Sequence, residues 1–283
     1  MDTYDFDSYS DIKYLNYEDI FRSDKNESRF FSKSKILEDK IFFNYLDKIV
    51  KIKDIHSYHP MKNIKYAVIM ACHCNSTEKL EVIKNNLQYF QYFNINTIII
   101  NSKGFNFTND LLELCSKQIK SSYFEIDNNF YYDFGKWIYA LLYLINVNEY
   151  DYIILTNDSY IICNSINHFF NLTAIHNVEL FGYNDSNDSR HHYQSYLFSL
   201  RKDAVNIFVK KVTSKKIRVK SQRDIVVNFE LKMTDWFVTK DCFLKSVNNK
   251  KNNIFFHNDK LYLPLINSNV LPFIKLKRIN SVT

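Results

Sequence analysis

Blocks of apolar positions alternate with polar segments from about residue 64 onward, and they predict strands separated by helices. The short continuous apolar run at 67–72 is typical of a strand buried on both faces of a sheet, and further strands are predicted at 97–100, 123–126 and 152–155. Between these segments, apolar residues recur at helical spacing near 78–91, 110–119 and 134–145. Strands that alternate with helices predict an α/β fold with a mostly parallel central sheet.

The first 60 residues form a separate region in this pattern. Residues 1–30 are polar and rich in acidic side chains, whereas apolar residues recur at helical spacing from Ile36 to Val50. We therefore expect a polar N-terminal extension over residues 1–60 that carries one amphipathic helix packed on the main domain. Residues 61–283 are predicted to form that main domain.

Composition narrows the ways in which the chain could bind phosphate. The 283 residues carry a formal net charge of +6, which suits an anionic partner such as a nucleotide diphosphate, although the charges are spread along the chain. There are 3 glycines, Gly104, Gly135 and Gly182, whereas phosphate-binding loops need several glycines close together. A bound nucleotide would therefore be held by side chains and a metal ion.

The cysteines and the N-terminal residues predict a reducing, cytoplasmic compartment. The 5 cysteines are odd in number and lack the spacing of a disulfide framework. The first residues are acidic and are not followed by the apolar segment of a signal peptide. The apolar runs are also shorter than the roughly 20 residues of a membrane span. Abundant Lys, Asn, Ile, Tyr and Phe indicate an AT-rich genome, such as that of a virus.

Polar side chains follow the predicted strands, at the edge where parallel α/β sheets bind ligands. They are His73 after the first strand, Asn101 after the second, and Asn157 and Asp158 after the fourth. The carboxylate of Asp158 is a suitable ligand for Mg²⁺ or Mn²⁺, which would bridge the diphosphate of a donor. Asn-Asp-Ser recurs at 184–186, so the position of Asp158 matters more than the triplet. A structural role in a turn is the alternative.

Two further segments contain candidate binding residues. Asp133 precedes a helix predicted to begin at Phe134, so it could cap that helix and also hold a ribose or sugar hydroxyl, with Lys136 one turn further on. The second segment combines neutral hydrogen-bond donors and acceptors that suit the hydroxyls of a sugar acceptor. Its residues are His191, His192, Gln194 and Ser195.

Six short segments occur in a characteristic order. They are 67–72 with the helix after it, Tyr-Asp-Phe-Gly-Lys-Trp at 132–137, Ile-Leu-Thr-Asn-Asp-Ser at 154–159, Tyr-Gln-Ser-Tyr at 193–196, Phe-Glu at 229–230 and Pro-Phe-Ile-Lys at 272–275. In this order they resemble the rhamnan synthesis F family of glycosyltransferases, from about residue 66 to the C-terminus. One departure is the segment before Pro272, which usually carries a Trp and here reads Leu-Tyr-Leu-Pro at 261–264.

The resemblance implies a GT-A-like, Rossmann-type sandwich in which residues 61–283 are the catalytic domain. It implies that rhamnose or another hexose is transferred from a nucleotide-diphosphate donor, such as a UDP- or TDP-sugar, to a saccharide acceptor in polysaccharide or glycan biosynthesis. The stretch from Asp224 to Ser246 is predicted to be helical. Within it, Glu230 matches the family's Glu and is expected to act as general base, with Asp224, Asp235 and the more distant His191 as alternatives. The expected donor-binding residues are His73, Asn101, Asp133, Lys136, Asn157, Asp158 and Lys275.

Two other functions remain open at this point. A catalytically inactive sugar-binding module is consistent with a single carboxylate where GT-A enzymes usually carry Asp-x-Asp. A nucleic-acid-binding or nucleotidyl-transferring protein would suit the basic charge and the aromatic fraction of 17%. However, the most basic stretch, 210–220, contains no aromatic residue that could stack on bases. We therefore expect a nucleotide sugar and a saccharide as partners, and no nucleic acid.

Overall fold

The computed structural model describes residues 63–103, 106–118, 120–127, 129, 131–162, 165–186, 189–214, 219, 221–244 and 273–276. The predicted N-terminal extension with its amphipathic helix lies outside the described residues, so the division at residue 60 stays a prediction. In the described part of the chain, no helix combines the length and the apolar character that crossing a membrane requires.

The strands of the described residues are mostly members of one central sheet. They are β1 Tyr66–Cys72, β2 Asn96–Ser102, β3 Ser121–Ile126, β4 Tyr152–Asn157, β5 Tyr160–Ile162, β6 Leu180–Ser186, β7 His192–Tyr193, β8 Leu197–Arg201, β9 Lys240–Leu244 and β10 Phe273–Lys275. The sheet has the order β3-β2-β1-β4-β8-β6-β7, with β9 paired to β6, while β5 and β10 form a separate two-stranded sheet. The neighbours from β3 to β4 are parallel, and β8 is antiparallel to both β4 and β6. The predicted α/β fold with a mostly parallel central sheet is confirmed.

Helices connect the strands in the expected alternation. They are α1 Thr77–Tyr92, α2 Thr108–Ser116, α3 Tyr132–Tyr143, α4 Asn167–His176, α5 Val205–Val212, α6 Gln222–Ile225 and α7 Leu231–Met233, with a π-helical turn Val226–Glu230 between the last two. Short 3₁₀ helices cover Val147–Glu149, Lys202–Ala204 and Thr234–Trp236. The side chain of Ser76 accepts a hydrogen bond from the Lys79 N–H and is the N-cap of α1.

The core lies on both faces of the sheet, and this explains the continuous apolar runs. Every residue of β1 is buried. Val68 and Met70 pack on one face with residues of α1 and α4, while Ala67 and Ile69 pack on the other face with residues of α3 and α5. A strand covered on both faces has no polar positions to alternate with, as expected of buried parallel strands.

The prediction of one helix from Asp224 to Ser246 is wrong. The helical segment ends at Trp236, and residues 240–244 form β9, which pairs in parallel with β6. The backbone N–H groups of Val238 and Thr239 both donate to the carboxylate of Glu179, which turns the chain away from the helix. The helical periodicity of the sequence could not reveal this long-range contact.

Candidate functional site

The carboxyl ends of three parallel strands bring the predicted donor-side residues to one edge of the sheet. Asn101 in β2 lies opposite Cys72 in β1, and Asn157 in β4 lies opposite Ala71. The Oδ1 of Asn101 accepts a hydrogen bond from the Cys74 N–H at 3.0 Å. The chain that leaves β1 is therefore tied to both neighbouring strands at the edge where α/β proteins bind ligands.

Asp158 is buried at this edge and forms an ion pair with Lys79. Its Oδ2 accepts a hydrogen bond from the His73 N–H at 2.7 Å and lies 3.2 Å from the Lys79 Nζ. The same ammonium donates to the carbonyl of His73 at 2.9 Å and lies 3.3 Å from Oδ1 of Asp158. Burial, the largest single cause, lowers the pKa of Lys79, but the charge and hydrogen bond of Asp158, together with the charge of Asp133, more than offset it and leave this pKa above its usual value.

Lys79 is a residue that the sequence reasoning missed. It lies in the first turn of α1, three residues after the cap Ser76, so the cap places it directly beyond the end of β1. Its position in the first turn of a helix that follows a strand was the signal in the sequence that could have identified it. Its partner Asp158 lies 79 residues further along the chain, and only the fold brings the two together.

The partly buried Asp133 and the fully buried Lys136 form a second polar group next to β4. The Nδ2 of Asn157 donates to Oδ2 of Asp133 at 2.8 Å, and Lys136 Nζ donates to Oδ1 of Asn129 at 2.5 Å. Burial raises the pKa of Asp133, while the Lys136 charge opposes this shift. Burial likewise lowers the pKa of Lys136, and the charge of Asp133 opposes it. Each charge makes the burial of the other less costly.

The expectation that Asp133 caps a helix beginning at Phe134 is wrong. Helix α3 begins at Tyr132, its N-cap is Tyr131, and no side chain caps it. Tyr131 and Tyr132 both have positive φ values, 55° and 51°, a backbone conformation that costs bulky residues about 1–2 kcal/mol each. Asp133 therefore lies inside the first turn, where its carboxylate reaches Asn157 instead of the free N–H groups of the helix.

His73 stands between the two charged groups and keeps a neutral ring. Burial, followed by the charges of Lys79 and Lys136, lowers the pKa of His73 to about 4, although Asp158 acts in the opposite direction. Burial also raises the pKa of the nearby Cys74 thiol to about 12. At neutral pH the site therefore offers an uncharged imidazole and a protonated thiol.

The predicted acceptor-side residues lie on and before β7 and in the turn between β7 and β8. His192 and Gln194 are buried, and their side-chain nitrogens lie 3.2 Å apart. Because His192 Nδ1 lies 2.8 Å from the carbonyl of Arg190, which can only accept, Nδ1 carries the proton and Nε2 accepts from Gln194. His191 differs, because its ring is half exposed and its Nε2 lies 3.1 Å from the carboxylate of Asp185.

Glu230 is placed beside this turn by the π-helical segment. Its Oε1 accepts a hydrogen bond of 3.4 Å from the N–H of Ser195. The next residue, Tyr196, accepts a hydrogen bond through its carbonyl from Thr156 in β4. Glu230 therefore lies at the same end of the sheet as Asn157, on the side of β8. Phe229 packs on Phe134, which links the π turn to α3.

Lys275 reaches the same region from the C-terminal part of the chain. In the small sheet, Lys275 lies opposite Tyr160, and the Leu276 N–H donates to the carbonyl of Ser159 at 3.0 Å. The Nζ of Lys275 stands 3.9 Å from the centre of the Tyr196 ring, within the range of a cation–π interaction. This buried ammonium therefore lies between Ser159, which follows Asp158, and the turn that carries Gln194.

The described residues do not fit the Mn²⁺ or Mg²⁺ ion that was predicted at Asp158. Among them, no three His, Cys, Asp or Glu side chains are grouped so that they could hold a metal ion. Both oxygens of Asp158 face the ammonium of Lys79 within 3.3 Å, and Oδ2 of Asp133 is taken by Asn157. Hard divalent cations bind several oxygen ligands, and here a lysine already lies beside the carboxylate.

Fold and side-chain contacts together define an α/β protein with a cluster of charged side chains at the carboxyl edge of its parallel strands. No family model matches the chain, so the resemblance to the rhamnan synthesis F family stays a prediction. The chain is 26% identical over 226 residues to the virulence protein VirA of Vibrio anguillarum, and the match covers 74% of this chain and 58% of VirA. The chain thus matches less than two thirds of the length of that relative.

Two solved structures illustrate the likeness in fold. The glycosyltransferase GlyE of Streptococcus pneumoniae TIGR4 is similar at a TM-score of 0.45 and 8% identity, covering 75% of this chain and 54% of GlyE. A cytidylyltransferase of Leptospira borgpetersenii is similar at a TM-score of 0.42 and 14% identity, covering 68% of this chain and 79% of that protein. At these scores the likenesses describe the arrangement of strands and helices and carry no argument about activity.

Proposed function

We propose that this chain is a glycosyltransferase that moves a sugar from a nucleotide-diphosphate donor to a saccharide acceptor. The observation that carries the proposal is the cluster of charged and polar side chains at the carboxyl ends of β1 and β4, in which Asp158 pairs with Lys79 and Asp133 accepts a hydrogen bond from Asn157. Ligands of open α/β sheets bind at this edge. Ammonium groups there suit phosphate oxygens, and carboxylates suit the hydroxyls of ribose and sugar.

On the donor side, the proposal divides the residues by the chemistry they offer. Lys79 binds the diphosphate, and the ammonium groups of Lys136 and Lys275 add positive charge around it. The carboxylate of Asp133 accepts from a ribose or sugar hydroxyl. The remaining donor-side residues, His73, Asn101 and Asn157, provide neutral groups and hold the strand ends in place through the contacts described above.

On the acceptor side, Glu230 is proposed as the general base. Its carboxylate takes the proton of an acceptor hydroxyl while that oxygen forms a bond to the anomeric carbon of the donor. The bond from the anomeric carbon to the phosphate oxygen breaks, and the electron pair leaves with the nucleoside diphosphate. The acceptor itself is held by hydrogen bonds from Gln194, Ser195 and His191. The buried His192 holds Gln194 in position.

The identity of the substrates comes from the sequence resemblance alone. It favours rhamnose or another hexose as the transferred sugar, UDP or TDP as the nucleotide, and a glycan or polysaccharide as the product. Mn²⁺ or Mg²⁺ at Asp158 was predicted from the position of this carboxylate after a strand, but no step of the proposal passes through such an ion because the described residues do not fit it.

A screen of UDP-, GDP- and TDP-sugars tests this proposal, with thermal stability and release of nucleoside diphosphate as the two measurements. Ligand at 100 times its dissociation constant stabilises the fold by about 2.7 kcal/mol, so a matching donor should raise the melting temperature. A glycosyltransferase also releases nucleoside diphosphate slowly in water, without an acceptor. Stabilisation without release, even in the presence of saccharides, would favour an inactive sugar-binding module. A salt-sensitive gel shift with nucleic acid, and no response to any donor, would contradict the proposal.

A further inference from the structure

The ammonium of Lys79 occupies the place beside Asp158 where a divalent cation would have to bind. It lies 3.2 Å from Oδ2 and 3.3 Å from Oδ1 of that carboxylate. A doubly charged ion on the same oxygens would stand next to this ammonium, and the repulsion between two like charges at such a distance is strong in a partly buried site. Lys79 and a metal ion would therefore compete for the same carboxylate.

Lys79 is also accessible to a ligand, unlike its partner. Its side chain is 24% exposed, whereas that of Asp158 is 7% exposed. An ammonium has three N–H donors, and the hydrogen bonds within the described residues direct two of them, to the His73 carbonyl and to Asp158. In the proposed site, a phosphate oxygen accepts from the third donor. The two protein contacts hold the ammonium in place before a ligand arrives.

The lysines and aspartates at this edge favour an anionic ligand. The group contains three lysines, Lys79, Lys136 and Lys275, and two aspartates, Asp133 and Asp158. Among these five side chains the lysines outnumber the aspartates by one. A glycine-rich loop whose backbone N–H groups bind phosphate would be the alternative to these lysines. It needs several glycines close together, and the chain has only 3.

From these contacts we infer that Lys79 replaces the divalent cation, so that the donor diphosphate binds without metal. The inference rests on the proposed nucleotide-sugar function and specifies how that site holds the leaving group. Lys79 then neutralises the charge that develops on the diphosphate, and Asp158 is a positioning residue that fixes the ammonium. A lysine fixed in this way acts as a preorganised electrostatic partner of the leaving group.

The test is the binding of UDP, GDP and TDP in EDTA and in Mn²⁺, measured by calorimetry and thermal shift. Wild-type protein should bind at least one of these nucleotides in EDTA with an affinity within about threefold of that in Mn²⁺. Lys79→Met keeps most of the aliphatic stem but loses the charge, and it should weaken binding in EDTA by about 10- to 100-fold, as expected for the loss of a charge-assisted hydrogen bond. Lys84→Met is the matched control, because Lys84 lies on the same helix and pairs at the surface with Glu81.

Two further variants keep the test decisive if Lys79→Met does not fold. Lys79→Arg keeps the positive charge and should retain binding in EDTA within about tenfold, since a guanidinium also binds phosphate. Lys79→Met combined with Asp158→Asn removes both members of the ion pair, which avoids leaving a buried carboxylate without its partner. This double variant should bind as weakly in EDTA as the single Lys79→Met variant.

Each outcome has a defined meaning. Wild-type binding that requires Mn²⁺ would overturn the inference and leave the glycosyltransferase proposal intact. Unchanged affinity of the Lys79→Met or double variant in EDTA would also overturn it. If none of the three nucleotides binds under either condition, the proposed function fails and the inference fails with it.

Discussion

The two sides of the site are built from different chemistry although they share one edge of the sheet. On the β1–β4 side, the central contact is an ion pair between the buried Asp158 and the partly exposed Lys79. On the β7–β8 side, the Gln194–His192 pair is neutral. Of the two carboxylates beside it, Asp185 is buried against His191 and Glu230 is only partly buried. Buried charges need fixed partners, so the first side is preorganised for an anion. Neutral groups suit hydroxyls, and a partly buried carboxylate can exchange a proton.

The largest expected effect concerns the charged side. Asp158→Asn should lower turnover by roughly 10²–10³, because Lys79 loses the carboxylate that positions it for the leaving group. The same change should reduce the free energy of unfolding by about 1–3 kcal/mol, since two contacts to a buried carboxylate are lost. Initial-rate kinetics and chemical denaturation measure the two effects.

Asp127→Asn is the matched control for this prediction. Asp127 follows β3 at the same edge of the sheet, but its side chain is 85% exposed and pairs with Lys103 at the surface. Exposed ion pairs contribute little to stability. Equal loss of turnover in Asp158→Asn and Asp127→Asn would show that the Asp158–Lys79 ion pair matters no more than an ion pair at the surface. That result would contradict the difference proposed between the two sides of the site.

Glu230→Gln should produce the largest effect on the neutral side. Turnover should fall by roughly 10² because the acceptor proton has no base, whereas the affinity for the donor should stay unchanged. Asp235→Asn is the control, because Asp235 lies in the same helical segment but pairs with Arg190 at the surface. Wild-type turnover in Glu230→Gln, or a large loss in Asp235→Asn, would assign the base elsewhere.

His73 provides a pH-dependent test of the charged side. Its pKa is lowered from 6.5 to about 4 on folding, so its contribution to stability is present above pH 6.5 and is lost as the pH falls toward 4. Between these values, wild-type protein should lose about 2–3 kcal/mol more free energy of unfolding than His73→Asn. Urea denaturation at several pH values gives this difference. Parallel losses in the two proteins would mean that the imidazole is not buried among positive charges.

The smallest predicted effect distinguishes acceptor binding from donor binding. Gln194→Leu removes the amide next to His192 and should lower the rate of transfer to a saccharide by about tenfold, the equivalent of one or two hydrogen bonds. Release of nucleoside diphosphate in water, without acceptor, should stay within about twofold of wild type. A parallel fall in both reactions would place Gln194 on the donor side.

The fold could be predicted because its signals are local. Continuous apolar runs at 67–72 and 152–155 indicated buried strands, and polar residues after them indicated the ligand edge. The site could be predicted only as a set of residue types, since pairings such as Lys79 with Asp158 join positions far apart in the chain. The same limit explains two wrong predictions. The role of Asp133 depends on Asn157 in another strand, and the end of the last helix depends on Glu179.

The most direct test of the central claim is a mass-spectrometric assay of saccharide acceptors incubated with the nucleotide-sugar panel. Wild-type protein should increase the mass of an acceptor by one hexose or deoxyhexose residue and release one nucleoside diphosphate for each transfer. Asp158→Asn and Glu230→Gln should reduce this product by roughly 10² or more, and Asp127→Asn should not. If no donor is consumed by the wild-type protein, or if both variants transfer at the wild-type rate, the site described here does not carry out glycosyl transfer.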